Sequence, residues 1–159
     1  MKKNVVGLIY TGERVDELKE LTRYRSAAAM PMLGRYRLID FILSVMLHSG
    51  IKNIGIIMQK NYHSLMDHLG SGREWNLHGK RSGLTILPPY MTGDKTGVYE
   101  GLLDALHSNL NFLRRSTERF IVVSDSNVLY KVDFNDIVAQ HLDRQSDITL
   151  LYSKKSNLR

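Results

Sequence analysis

Short apolar runs alternate with amphipathic stretches along the whole chain, and this alternation constrains the fold more than any other feature. Val5–Tyr10 is an apolar run of the length of a buried strand. Residues 54–58, 84–87, 120–123 and 148–152 repeat that signature. Between them lie stretches with helical periodicity. Residues 37–48 carry Leu38, Ile39, Phe41, Ile42, Val45 and Met46 on one side and close on Ser49-Gly50, a helix stop. Residues 62–69 form a shorter helix that ends at Gly70. Leu102, Leu103, Leu106, Leu110 and Leu113 predict one long helix over residues 98–114, and Asp133 is an N-cap for a helix reaching about Arg144.

Strand and helix in strict alternation imply an α/β domain: a mostly parallel sheet, right-handed crossovers and helices on both faces. Polar segments at residues 11–25 and 71–82 and the Pro88-Pro89 pair punctuate the elements. In such folds ligands bind beyond the carboxyl ends of the strands. The loops after Tyr10, Met58, Leu87 and Val123 are therefore where chemistry is expected.

Composition narrows the function classes. The chain has no cysteine, so disulfides and thiolate metal sites are excluded. No apolar run approaches the ~20 residues needed to cross a bilayer, and the first residues lack a signal-peptide pattern. A cytoplasmic protein without a membrane partner is expected. The net charge of +6 raises the question of nucleic acid. The basic residues are scattered, however, with no groove-reading motif and no aromatic platform for bases, so phosphate-bearing small molecules fit better. His48, His63, His68 and His78 do not have the spacing of a metal set and read as packing or surface residues, as do Arg73 and Trp75.

Three segments in fixed order carry a specific resemblance. Gly34-Arg35-Tyr36-Arg37-Leu38-Ile39-Asp40-Phe41, continuing to Leu43-Ser44 and Ser49-Gly50-Ile51, is similar to the pattern G-K-Y-R-I-I-D-F-x-L-S-N-x-x-N-S-G-I. Gln59 with His63-Ser64-Leu65 and Leu129-Tyr130-Lys131-Val132-Asp133-Phe134 match two further patterns of the same family. The chain thus resembles bacterial glucose-1-phosphate adenylyltransferase (ADP-glucose pyrophosphorylase), which joins ATP and glucose 1-phosphate into ADP-glucose and pyrophosphate for glycogen synthesis. The resemblance implies a Rossmann-like nucleotidyltransferase sheet. It also implies that residues 1–159 are the N-terminal part of that domain, with the family's C-terminal β-helix absent.

The positions where the family does chemistry have changed. Phosphoryl-type transfer needs backbone amides and cations around the phosphates and carboxylates to hold magnesium. In the family's glycine-rich loop after the first strand, only Gly12 remains; Glu13 and Val15 replace glycines, and Glu17 stands where an arginine belongs. Ala27 replaces a lysine of R-A-K-P-A, and Asn127 replaces the aspartate that holds magnesium. In the stretch matching W-Y-R-G-T-A-D-A, Glu100 and Leu102 are replacements while Tyr99, Gly101 and Asp104 persist.

No catalytic residue is therefore assigned. Gly12, Gln59, Tyr99, Gly101 and Asp104 are the candidates for contacts with ATP or a sugar phosphate; the resemblance implies that Gln59 reads an adenine edge, the alternative being a strand-end glutamine bonded to backbone. The pattern resembles the family's D-type regulatory subunit, whose partner is a catalytic glucose-1-phosphate adenylyltransferase subunit. The alternative is an active enzyme in which Asp125, two residues before Asn127, serves as a displaced magnesium ligand. Without it, no metal cofactor is expected.

Overall fold

The computed structural model describes residues 4–12, 16–79, 83–89, 91–92, 95–96, 99–129 and 131–153. Its centre is a four-stranded sheet, every neighbouring pair parallel, made of β1 (Val5–Tyr10), β4 (Asn53–Ile57), β5 (Leu84–Leu87) and β8 (Phe120–Asp125). The strands lie in the order β5-β4-β1-β8. Two small antiparallel pairs flank it: β2 (Pro31–Met32) with β3 (Tyr36–Arg37), and β6 (Met91–Thr92) with β7 (Lys95–Thr96). The helices are α1 (Leu38–His48), α2 (His63–Leu69), α3 (Leu102–Ser108), α4 (Leu110–Arg115) and α5 (Phe134–Asp143).

β1 is buried along its whole length because both its faces are covered. Val5 and Ile9 point into the larger core with Ile39, Ile42, Leu43 and Met46 of α1, Leu65 and Leu69 of α2, and Phe134 and Val138 of α5. Leu8 and Tyr10 point the other way, into a smaller core with Ile57, Tyr99, Ala105, Phe112 and Leu113. The buried set on α1 recurs at three- and four-residue intervals, the stripe an amphipathic helix needs. At its end Gly50 takes a φ of 79°, and the N–H of Ile51 returns to the Met46 carbonyl. That turn anchors α5: the Phe134 N–H donates to Ser49 Oγ at 2.9 Å, and Asn135 Nδ2 donates to the Ser49 carbonyl at 3.0 Å.

Glycine sets how closely the smaller layer packs. A methyl built on Gly55 would stand 2.8 Å from Leu8 Cδ2 and 2.8 Å from Phe112 Cε1. Gly55→Ala is expected to push α4 off the sheet and cost about 1–3 kcal/mol as overpacking, read as a lower urea midpoint with an unchanged slope.

The structure corrects the sequence expectations at two places and adds two short elements to them. The helix expected over residues 98–114 is two helices that break at Asn109. Its side chain donates to the Ala105 carbonyl at 2.8 Å and to the Tyr99 hydroxyl at 3.1 Å, competing with the helical ladder. The strand expected at 148–152 is absent: Ile148 and Leu150 are about four-fifths exposed, and Thr149 is tied by its hydroxyl to His141 Nδ1 at 2.8 Å, with no strand ladder to the segment among the described residues. A strand needs a ladder as well as an apolar sequence, and β8 is the edge of the sheet on its side. The polar stretch 11–25 contains a kinked 3₁₀ segment, Asp16–Thr22, with Lys19 at φ 37°. Ala27–Ala29 forms a buried 3₁₀ turn ahead of the β2–β3 hairpin. No described helix is long and apolar enough to cross a membrane.

Candidate functional site

The sheet order determines where a ligand can enter. From β1 the chain moves outward to β4 and β5, then returns to lay β8 on the opposite side of β1. Loops leaving the carboxyl ends of β1 and β8 diverge from that reversal and open a crevice between them. Tyr10 and Asp125 are register partners at its floor. The Ser126 N–H continues the ladder to the Tyr10 carbonyl at 3.1 Å. Thr11 turns towards β4 instead, its N–H and Oγ1 donating to the Ile57 carbonyl at 3.1 and 3.0 Å.

Three of the five candidate binding residues meet on the β4 side of β1, at the carboxyl ends of those two strands. Gln59 is 7% exposed, and both hydrogens of its amide nitrogen are used within the protein. Nε2 donates to the Tyr10 hydroxyl at 3.1 Å and to the Tyr99 carbonyl at 3.2 Å. Its Oε1 is buried and has no hydrogen-bond partner among the described residues. Gly12 lies over this pair: a Cβ at that position would fall 2.3 Å from the Tyr10 hydroxyl and 2.8 Å from Gln59 Cγ. Tyr99 is held by its own hydroxyl, which donates to the Pro88 carbonyl at 3.2 Å.

The other two candidates begin α3 just after Tyr99. Asp104 Oδ2 accepts the Glu100 N–H at 3.2 Å, a local tie at the start of α3. Gly101 is extended, with no atom within 4 Å of a Cβ built on it, so neither backbone nor packing demands glycine there.

The positions at which the resemblance implies a lost charge divide in two. Ala27 is buried. Asn127 and Asp125 are both exposed at the crevice. Glu13, Arg14 and Val15 lie outside the described residues, as do the Glu17 side chain and Tyr130. Magnesium sites use one or two carboxylates together with substrate phosphates. Here the crevice offers the Asp125 carboxylate and the neutral amide of Asn127, and no group of three His, Asp or Glu side chains gathers among the described residues.

Sequence reasoning missed the Tyr10 contribution and a polar clasp behind the crevice. Asp40 accepts the Arg37 N–H at 2.9 Å and pairs with His68 Nε2 at 2.7 Å. The Arg37 guanidinium donates to Ser64 Oγ at 2.7 Å and to the Ser64 carbonyl, tying α1 to α2. Trp75 packs on the larger core and meets the His68 ring edge-on. Asp40, Arg37 and Ser64 all lie in the segments that carry the family resemblance, which was the available signal.

Comparison with known proteins shows the family and the fold. Residues 6–158 match the family model described as nucleotidyl transferase. A glucose-1-phosphate adenylyltransferase of Clostridium novyi (strain NT) is 37% identical over 94% of this chain and 39% of its own length. The glycogen biosynthesis protein GlgD of Geobacillus stearothermophilus is 34% identical over 94% of this chain and 43% of its own. The chain thus spans about two fifths of the length of these curated relatives. A Bacillus anthracis structure assigned as a glucose-1-phosphate thymidylyltransferase, in complex with a sucrose, superposes with a TM-score of 0.67 at 22% identity. It covers 89% of this chain and 51% of that one, a likeness of fold.

Proposed function

The chain belongs to the nucleotidyl transferase family, and from that premise we propose that the intact protein is a regulatory or accessory subunit of glucose-1-phosphate adenylyltransferase in glycogen biosynthesis. One observation carries the reading: the crevice keeps its scaffold and lacks its charges. The Arg37–Asp40–His68 clasp and the Gln59 cluster are intact. Ala27 presents a buried methyl where transfer needs a cation, and Asn127 a neutral amide where it needs a carboxylate.

A protein with such a crevice acts through contact. It changes a partner's activity only by binding one of the partner's states more tightly than another, and the effect equals that difference in affinity. The proposed partner is a catalytic homologue. A second reading, an enzyme active in its own right, rests on Asp125, which ends β8 opposite Tyr10 and is exposed to the crevice.

Size-exclusion chromatography of the two intact proteins, followed by kinetics of the mixed peak, tests the proposal. A mixed oligomer is expected, with a catalytic efficiency or effector response different from that of the catalytic subunit alone, by about five-fold or more for a typical coupling. Separate elution at micromolar concentration with unchanged kinetics sinks the idea.

A further inference from the structure

The turn of the β2–β3 hairpin holds an apolar side chain in water in a costly backbone conformation. Leu33 has a φ of 48° and Gly34 one of 88°. The left-handed region suits glycine and penalises a residue with a Cβ. Leu33 nevertheless stands there 79% exposed, and Tyr36, paired with Met32 across the hairpin, is 51% exposed. No atom lies within 4 Å of a Cβ built on Gly34, so the turn projects into open space. A single exposed leucine is ordinary. One held where glycine would be less strained points to a contact made outside the fold.

The charges around the turn indicate what it meets. Residues 22–39 carry four arginines and no aspartate or glutamate. Arg23 pairs with Glu20, and Arg37 is committed to Ser64. Arg25 and Arg35 are exposed and make no ion pair among the described residues. Tyrosine and arginine are enriched at protein interfaces, around apolar anchors that fill a pocket on the partner.

We propose that this hairpin turn is a docking knob for a partner protein: Leu33 enters an apolar socket on the partner, and Arg35 and Arg25 meet carboxylates on the socket's rim. The inference rests on the accessory-subunit reading and names its surface of contact, the partner being the catalytic homologue. Docking takes Leu33 out of water and offsets its left-handed backbone, so the side chain contributes to the complex and not to the fold.

Leu33→Gly separates those two roles, because glycine relaxes the turn while deleting the knob. In the intact protein alone its urea midpoint should hold or rise. Its affinity for the catalytic homologue, from sedimentation velocity of the two intact proteins mixed at increasing ratios, should fall about tenfold or more. Arg35→Glu should weaken association several-fold at low salt and less at high salt. A loss for Arg35→Glu that is equal at both salt concentrations overturns the acidic rim. Unchanged affinity of Leu33→Gly overturns the proposal and leaves the accessory reading in place. A lowered urea midpoint overturns it as well, because the leucine then packs within its own chain. Loss of self-association with the mixed oligomer intact assigns the turn to a second copy of this chain, against the proposal. If the native proteins do not associate at all, the docking surface and the accessory reading fall together.

Discussion

Assayed alone with magnesium, ATP and glucose 1-phosphate, the intact protein is expected to release pyrophosphate far more slowly than ~1 s⁻¹, the lower end of ordinary enzyme turnover. The expectation has an electrostatic basis. By the resemblance, Glu17 is expected to take the position of a cation that would stabilise charge developing on the phosphates. At ~4 Å and an effective dielectric of ~20, one charge pair is worth about 4 kcal/mol. Inverting its sign therefore costs several orders of magnitude in rate. Ala27 and Asn127 remove a second cation and a metal-binding carboxylate from the same reaction. Repairing one position alone should not restore turnover, because groups that act as a unit are strongly non-additive. Turnover at or above ~1 s⁻¹ by the unaided protein would favour the Asp125 reading and end the accessory one.

The second large effect concerns stability. Asp40→Ala removes the acceptor for the Arg37 N–H at the start of α1 and the partner of His68 in one step. The two side chains of that pair are only 10% and 16% exposed, so solvent does little to replace the lost bond. Losing a helix N-terminal bond costs about 1 kcal/mol, and leaving a buried hydrogen-bond partner unsatisfied costs about 1–3 kcal/mol. The expected total is about 2–4 kcal/mol, lowering the urea midpoint followed by circular dichroism. Asp40→Asn keeps an acceptor for the Arg37 N–H and should cost less. Equal losses for the two variants would mean that burial of the side chain, and not its bonds, sets the stability.

Elements whose signal is local were legible in the sequence. Val5–Tyr10 and Leu84–Leu87 match their strands residue for residue, because an apolar run bounded by turn residues needs no distant information. α1 begins one residue later than expected, with Arg37 as its N-cap, and the Asp133 cap holds through its bond to the Asn135 N–H. Features that depend on a partner were not legible. Ile148 to Tyr152 has a strand's composition, but composition does not supply a neighbouring strand. The break at Asn109 required knowing that the Tyr99 hydroxyl would lie within reach of its side chain. The same limit applies to the crevice. Gly12, Gln59 and Tyr99 were visible through family motifs, whereas Tyr10 looked like the last residue of a buried strand, and its hydroxyl acquires meaning only beside Gln59.

The pairing of β1 with β8 also bears on how the molecule assembles. It joins residues more than a hundred positions apart, such as Val5 with Phe120, whereas β1 and β4 are separated by less than half that distance. Chain entropy disfavours the longer closure, and non-local contacts of this kind slow folding. As the polypeptide leaves the ribosome, β1, β4 and β5 are all available before β8 exists, so three strands can pair while one wall of the crevice is still being synthesised. A nascent chain can therefore carry a sheet well before it carries a binding site, and in that interval the edge of β1 is open to whatever strand reaches it first.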